Sequence, residues 1–126
     1  MKSYRDLEIY KISYDLAVKI HNASLKLPQY ELYEEGSQMR RSSKGVPGCI
    51  AEGYGRRRYK AEFVRYLIFA HASCDETIFH LNMVKDTHQD MASLFEPFIK
   101  PYENLSPKIH KFIEYVDKHW NKDFRI

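Results

Sequence analysis

Apolar residues along the chain recur at helical spacing, and the interruptions between them mark four long segments. Leu7, Tyr10, Tyr14, Ala17, His21 and Leu25 alternate three- and four-residue steps, which predicts a helix over about 4–27. Ser3 and Asp6 form a capping-box pattern at its start, and Pro28 closes it. A second helix is predicted over about 37–54, with Met39, Ser42 or Ser43, Val46, Ile50 and Gly53 or Tyr54 inward. Pro47 lacks a backbone donor, so a kink is expected near Gly45–Gly48, and Gly53 and Gly55 are expected to end the helix in a left-handed conformation. The third segment, about 59–87, is the most regular: Phe63, Leu67, Ala70, Cys74, Ile78 or Thr77, Leu81 and Val84 follow one another without glycine or proline. Pro97 and Pro101 predict a short broken helix over about 91–100. A last helix is predicted over about 106–121, capped by Ser106, with Pro107 at its first position and Ile109, Phe112, Ile113, Val116 and Trp120 inward.

Four long amphipathic helices with no alternating strand pattern predict an all-α fold, an antiparallel up-down-up-down four-helix bundle forming one domain over residues 1–126. With 44% apolar and 29% charged residues the chain has the composition of a packed domain, which excludes disorder as its default state. No run of about 18 apolar residues occurs, and the charged start MKSYRDLEIYK lacks the apolar stretch of a signal peptide. Cys49 and Cys74 stand apart, without the paired spacing of a zinc site or a disulfide framework. The expectation is a cytoplasmic protein with no membrane partner.

Charge distribution changes this picture more than total charge does. Between positions 40 and 65 stand Arg40, Arg41, Lys44, Arg56, Arg57, Arg58, Lys60 and Arg65 against Glu52 and Glu62, a local net of +6 in a chain of +3. Such a segment suits phosphate, because arginine offers paired donors and each neutralised phosphate releases counterions. Tyr54 and Tyr59 flank the triple arginine as candidates for stacking on unpaired bases. The competing reading pairs Glu52 with Arg56, and Glu62 with Arg58 or Arg65, on the surface. It also turns one of Arg40 and Arg41 toward Glu52, Asp75 or Glu76 across a helix or subunit boundary.

Other chemistry is weakly signalled. GYGRRR has neither the spacing nor the preceding strand of a phosphate-binding loop. His71, Cys74 and Asp75 share one helical turn, but no second ligand group accompanies them, so Cys74 is expected to be a buried, inert thiol. Ser42, Ser43 and Cys49 have no oriented base within the pattern. The expectation is no enzyme activity, no metal and no cofactor.

The segment SQMRRSSKGVPGCIAEGYGRRRYKAEFVRYLIFA (37–70), preceded by YRDLEIYKISYDLAVKI (4–20), closely resembles the four-helix bundle proteins encoded within intervening sequences of 23S ribosomal RNA genes. It is similar, too, to the accessory variability proteins of diversity-generating retroelements. The resemblance covers roughly 4–84 and the last helix only in character. It implies a homo-oligomer, commonly a five-fold ring, with a basic surface, no established catalysis and, for the retroelement members, a nucleic-acid-bound reverse transcriptase as partner. The chain departs from the family pattern at Gly45–Cys49, where relatives carry a serine-isoleucine-proline-serine-asparagine run. Ala72 and Ser73 follow His71 where relatives often have Gly-Ser, and 90–107 has the look of an insertion.

Overall fold

The computed structural model of the chain describes residues 3–125. Its architecture is all-α, with no strand among the described residues. The four long helices are α1 (Glu8–Ser24), α2 (Glu35–Gly55), α3 (Lys60–Thr87) and α4 (Ile99–Asp123). Helix α3 spans about 40 Å at 1.5 Å per residue and packs against both α2 and α4, while α1 lies mainly on α2. The start of α2 meets the end of α3, and the end of α2 meets the start of α3. Glu35 bonds His80 at one extremity, and Gly53 lies against Tyr66 at the other.

The α3 pattern is realised as expected. Phe63, Leu67, Ala70, Cys74, Thr77, Leu81 and Val84 are all fully buried, with Ile78 partly so. Met39, Ser42, Ser43, Val46, Ile50, Gly53 and Tyr54 make the inner face of α2, also as expected. Small residues let the two helices approach. A Cβ on Gly45 would lie 2.9 Å from Ser73 Oγ, and one on Gly53 would lie 3.0 Å from the Tyr66 Cβ. Between the two helices the Thr77 hydroxyl donates to the Ser73 carbonyl at 2.8 Å and lies within hydrogen-bond distance of Ser42 Oγ at 2.9 Å. The buried hydroxyls are thereby satisfied without charge.

Four expectations are corrected. First, the predicted helix over 4–27 is two pieces. The Ser3–Asp6 capping box closes a single 3-10 turn (Tyr4–Asp6), and extended Leu7 separates it from α1. The core-facing stripe of α1 is aliphatic (Ile9, Leu16, Ala17, Ile20 and Ala23), whereas Tyr14 and Leu25 stand 54% and 52% exposed. The helix carries two apolar stripes, and the one rich in tyrosine keeps its polar tips in water. Second, α2 begins at Glu35 rather than near Ser37 and runs as one helix through Pro47. Third, its end is not a left-handed glycine. No described residue has positive φ, and the Arg56 amide bonds back to the Glu52 and Gly53 carbonyls in right-handed geometry. Fourth, α4 begins at Ile99, so Ser106 and Pro107 lie inside it rather than at its start. Pro101 falls in the first turn, where the missing amide has no intrahelical partner to lose. The broken segment before it is realised as three short turns over 89–98.

Candidate nucleic-acid interface

Helices α2 and α3 are joined by Arg56, Arg57, Arg58 and Tyr59, and this turn holds three of the eight basic residues that the charge pattern singles out, with Lys60 directly after it. Arg56 is the most heavily engaged. Its Nη2 bonds Glu52 Oε1 and its Nη1 bonds Glu62 Oε1, both at 3.1 Å, while the guanidinium lies 4.7 Å from the Tyr66 ring centre. The hydrogen bond to Glu52 raises its pKa further above the arginine range. Arg57 is turned inward. Its Nη1 donates to the Tyr54 carbonyl at 3.0 Å, its guanidinium sits 4.0 Å from the Tyr54 ring centre, and its own carbonyl accepts from Trp120 Nε1 at 2.7 Å. Lys60 pairs with Asp117 at 3.3 Å and Arg65 with Glu62 at 3.6 Å. Arg58 is exposed, with the Tyr59 ring 5.9 Å away and no ion pair among the described residues.

The stacking candidates separate. Tyr59 is 65% exposed, whereas Tyr54 is buried edge-on against Phe63 and offers no face to a base, which corrects that expectation. Arg40 also leaves the set. It reaches from α2 to Ser24 Oγ at the end of α1 (2.9 Å) and to the Leu32 carbonyl in the connecting segment (2.8 Å), closing two elements onto a third. Within the chain, neither Arg40 nor Arg41 makes an ion pair with Glu52, Asp75 or Glu76 among the described residues, contrary to the helix-to-helix form of that alternative. Arg41 and Lys44 are exposed on the outer ridge of α2 and make no ion pair there either. Lys44 stands about 18 Å along the helix from the arginine turn at 1.5 Å per residue.

Two arrangements that pattern reading missed lie elsewhere. At the far end of the α2–α3 seam, His80 Nδ1 lies 2.6 Å from Glu35 Oε2, and His88 Nε2 lies 2.7 Å from Glu31 Oε2, all four side chains largely buried. The bond from His88 holds the Glu31 carboxyl below its usual range. Partners 45 and 57 residues apart leave no periodic signal. The second arrangement places Ser106 Oγ 3.0 Å from His71 Nε2 and 2.9 Å from Asp75 Oδ1. The serine proton goes to Asp75, leaving His71 to donate rather than to act as a base, and the Ser106 amide is committed to its helix instead of to an oxyanion. Its chemistry is that of a tie between α3 and α4. Cys74, from the same helical turn, is buried, with its thiol 3.5 Å from the Tyr102 carbonyl and its pKa pushed up to about 12 by burial. Among the described residues, no group of three or more His, Cys, Asp or Glu is placed to hold a metal ion, and no helix is long and apolar enough to cross a membrane.

Comparison with known proteins adds one match. The family model described as 23S rRNA-intervening sequence protein covers residues 5–111, the arginine turn and the segment over 90–107 included. No curated protein matches the chain.

Proposed function

We propose, from the premise that the chain belongs to the 23S rRNA-intervening sequence protein family, that it is a non-enzymatic cytoplasmic protein that associates with copies of itself and binds RNA or DNA. Its antiparallel up-down-up-down bundle presents Arg41, Lys44 and Arg58 to the phosphates. The observation that carries this reading is the sorting of the basic residues. Arg40, Arg56, Arg57, Lys60 and Arg65 already have protein partners, while Arg41, Lys44 and Arg58 are exposed with no carboxylate among the described residues. A solvated cation meets phosphate with release of counterions and without breaking a protein contact, whereas a guanidinium bridging two carboxylates must first give them up.

Self-association has its own support. Ile68, Phe69, Phe79 and Met83 on the outward side of α3 are 38–55% exposed, an apolar stripe of the kind that a subunit contact buries. The five-fold ring implied by the family resemblance belongs to this proposal, as does a nucleic-acid-bound reverse transcriptase as a further partner. Phe79→Glu is expected to lower the mass measured by light scattering, and an unchanged mass would remove that face from the interface.

The test of nucleic-acid binding is anisotropy titration of labelled RNA and DNA at several salt concentrations. Arg41→Ala with Lys44→Ala is expected to flatten the salt slope by about two, one per lost phosphate contact. Arg57→Ala is expected to leave the slope unchanged. The second reading, an oligomeric adaptor for a protein, is favoured by the engagement of Arg56 and Arg57 within the fold. It requires no nucleic-acid binding at low salt by the intact oligomer.

A further inference from the structure

Between α1 and α2 runs an open groove of about 480 Å³, within the range of small-ligand sites. Small residues, Ala17, Gly48 and Ala51, are part of its lining, and nothing lies within 4 Å of the place where a Gly48 Cβ would stand. Along one wall are Tyr10 and Tyr14, their rings 5.7 Å apart and tilted by 31°, the second more than half exposed. Lys44 closes the rim, the one formally charged residue of the lining, and no acid accompanies it. Arg41 stands one turn before Lys44 on the same exposed ridge.

We infer that this groove receives an unstacked base of single-stranded RNA or DNA, with the phosphate of the same nucleotide at Lys44. The inference rests on the nucleic-acid reading above and narrows it from nucleic acid in general to single strands. An aliphatic side chain would satisfy the walls but has no use for a lone cation with no counter-charge beside it. A nucleotide brings a flat ring for the tyrosines and an anion for the rim. Bases in a duplex are already paired and stacked and do not enter such a groove. His21 adds a further polar feature to the wall, since its Nδ1 is buried without a hydrogen-bond partner in the described structure.

Gly48→Leu tests this directly. The position is exposed on a helix, so leucine fills the groove and raises helix propensity rather than threatening the fold. Anisotropy titrations would compare a labelled oligouridine with an RNA duplex of the same length, with wild type, Gly48→Leu and Tyr14→Ala at equal oligomeric mass. The expected result is an about tenfold weaker single-strand affinity in both variants at unchanged salt slope, with duplex affinity unaffected. Photo-crosslinking of a 5-bromouridine oligonucleotide is expected to map to Tyr10 or Tyr14. Wild type that binds both probes while Gly48→Leu changes neither would overturn the groove assignment and leave the nucleic-acid reading standing. A Gly48→Leu variant that loses oligomeric mass would give the groove to a second copy of the chain and overturn it too. Wild type that binds neither probe would remove the parent reading and the groove together.

Discussion

The two ends of the α2–α3 seam treat charge in opposite ways. At the end holding Glu31, Glu35, His80 and His88, ionisable groups are drawn inside and each finds a partner of opposite kind, His80 meeting Glu76 as well. At the end holding Arg56, Arg57 and Arg58, one arginine bridges carboxylates at the surface, one folds back on the backbone, and one is left to solvent. Arg40 and Arg41 repeat the contrast between neighbours, the first serving Ser24 and Leu32 and the second facing water. A run of like charges in a sequence is thus not a surface patch until each member's partners are known. Direction along the helix, not adjacency in the chain, decides which cations remain for an outside ligand.

The contrast is most sharply tested at Arg40. Arg40→Ala is expected to cost about 2 kcal/mol in urea unfolding, because the Leu32 carbonyl and Ser24 hydroxyl lose a charged donor, whereas Arg41→Ala should leave the midpoint in place. Next in size is the acid response of the buried end. Glu31 is held below its usual range by His88, so its stabilisation is complete above the unfolded-state pKa of about 4.3 and is lost as pH falls through the lower folded value. Glu31→Gln is expected to remove about 1 kcal/mol at neutral pH and to flatten that acid limb, read from unfolding curves between neutral pH and about pH 3. Trp120→Phe keeps an aromatic ring, smaller than the indole, and deletes the donor to the Arg57 carbonyl, with an expected loss of about 1 kcal/mol and unchanged salt slope for RNA. The smallest effect on stability belongs to Glu62→Gln. It should leave the unfolding midpoint unmoved while steepening the salt slope, since Arg56 and Arg65 each lose a carboxylate to phosphate.

What was legible in the sequence follows the same division. The inner face of α3 could be read residue by residue because its apolar positions are uninterrupted and its outer face is distinct. Helix α1 is less legible because Tyr14 counts as apolar by composition yet lies on a second, outward stripe, with Tyr10 only partly buried at its edge. The start of α4 lies seven residues before the one the pattern predicts, because Pro101 and Pro107 look like boundaries although the first turn tolerates one and the other sits on the exposed face. At the candidate site, the Glu52–Arg56 pair was visible because helical spacing fixes it. The inward turn of Arg57, the burial of Tyr54 and the His–Glu pairs depend on chain segments brought together only by folding, and no local period records them.

The four-residue connection between α2 and α3 also bears on the order in which the molecule assembles. Closing so short a loop costs little chain entropy, so this helical hairpin can form from contacts near in sequence before α1 and α4 find their places. Substitutions along its seam, such as Ala70→Gly, are therefore expected to act mainly on the folding rate. Trimming Ile20 on α1, for instance to Val, is expected to act mainly on the rate of unfolding.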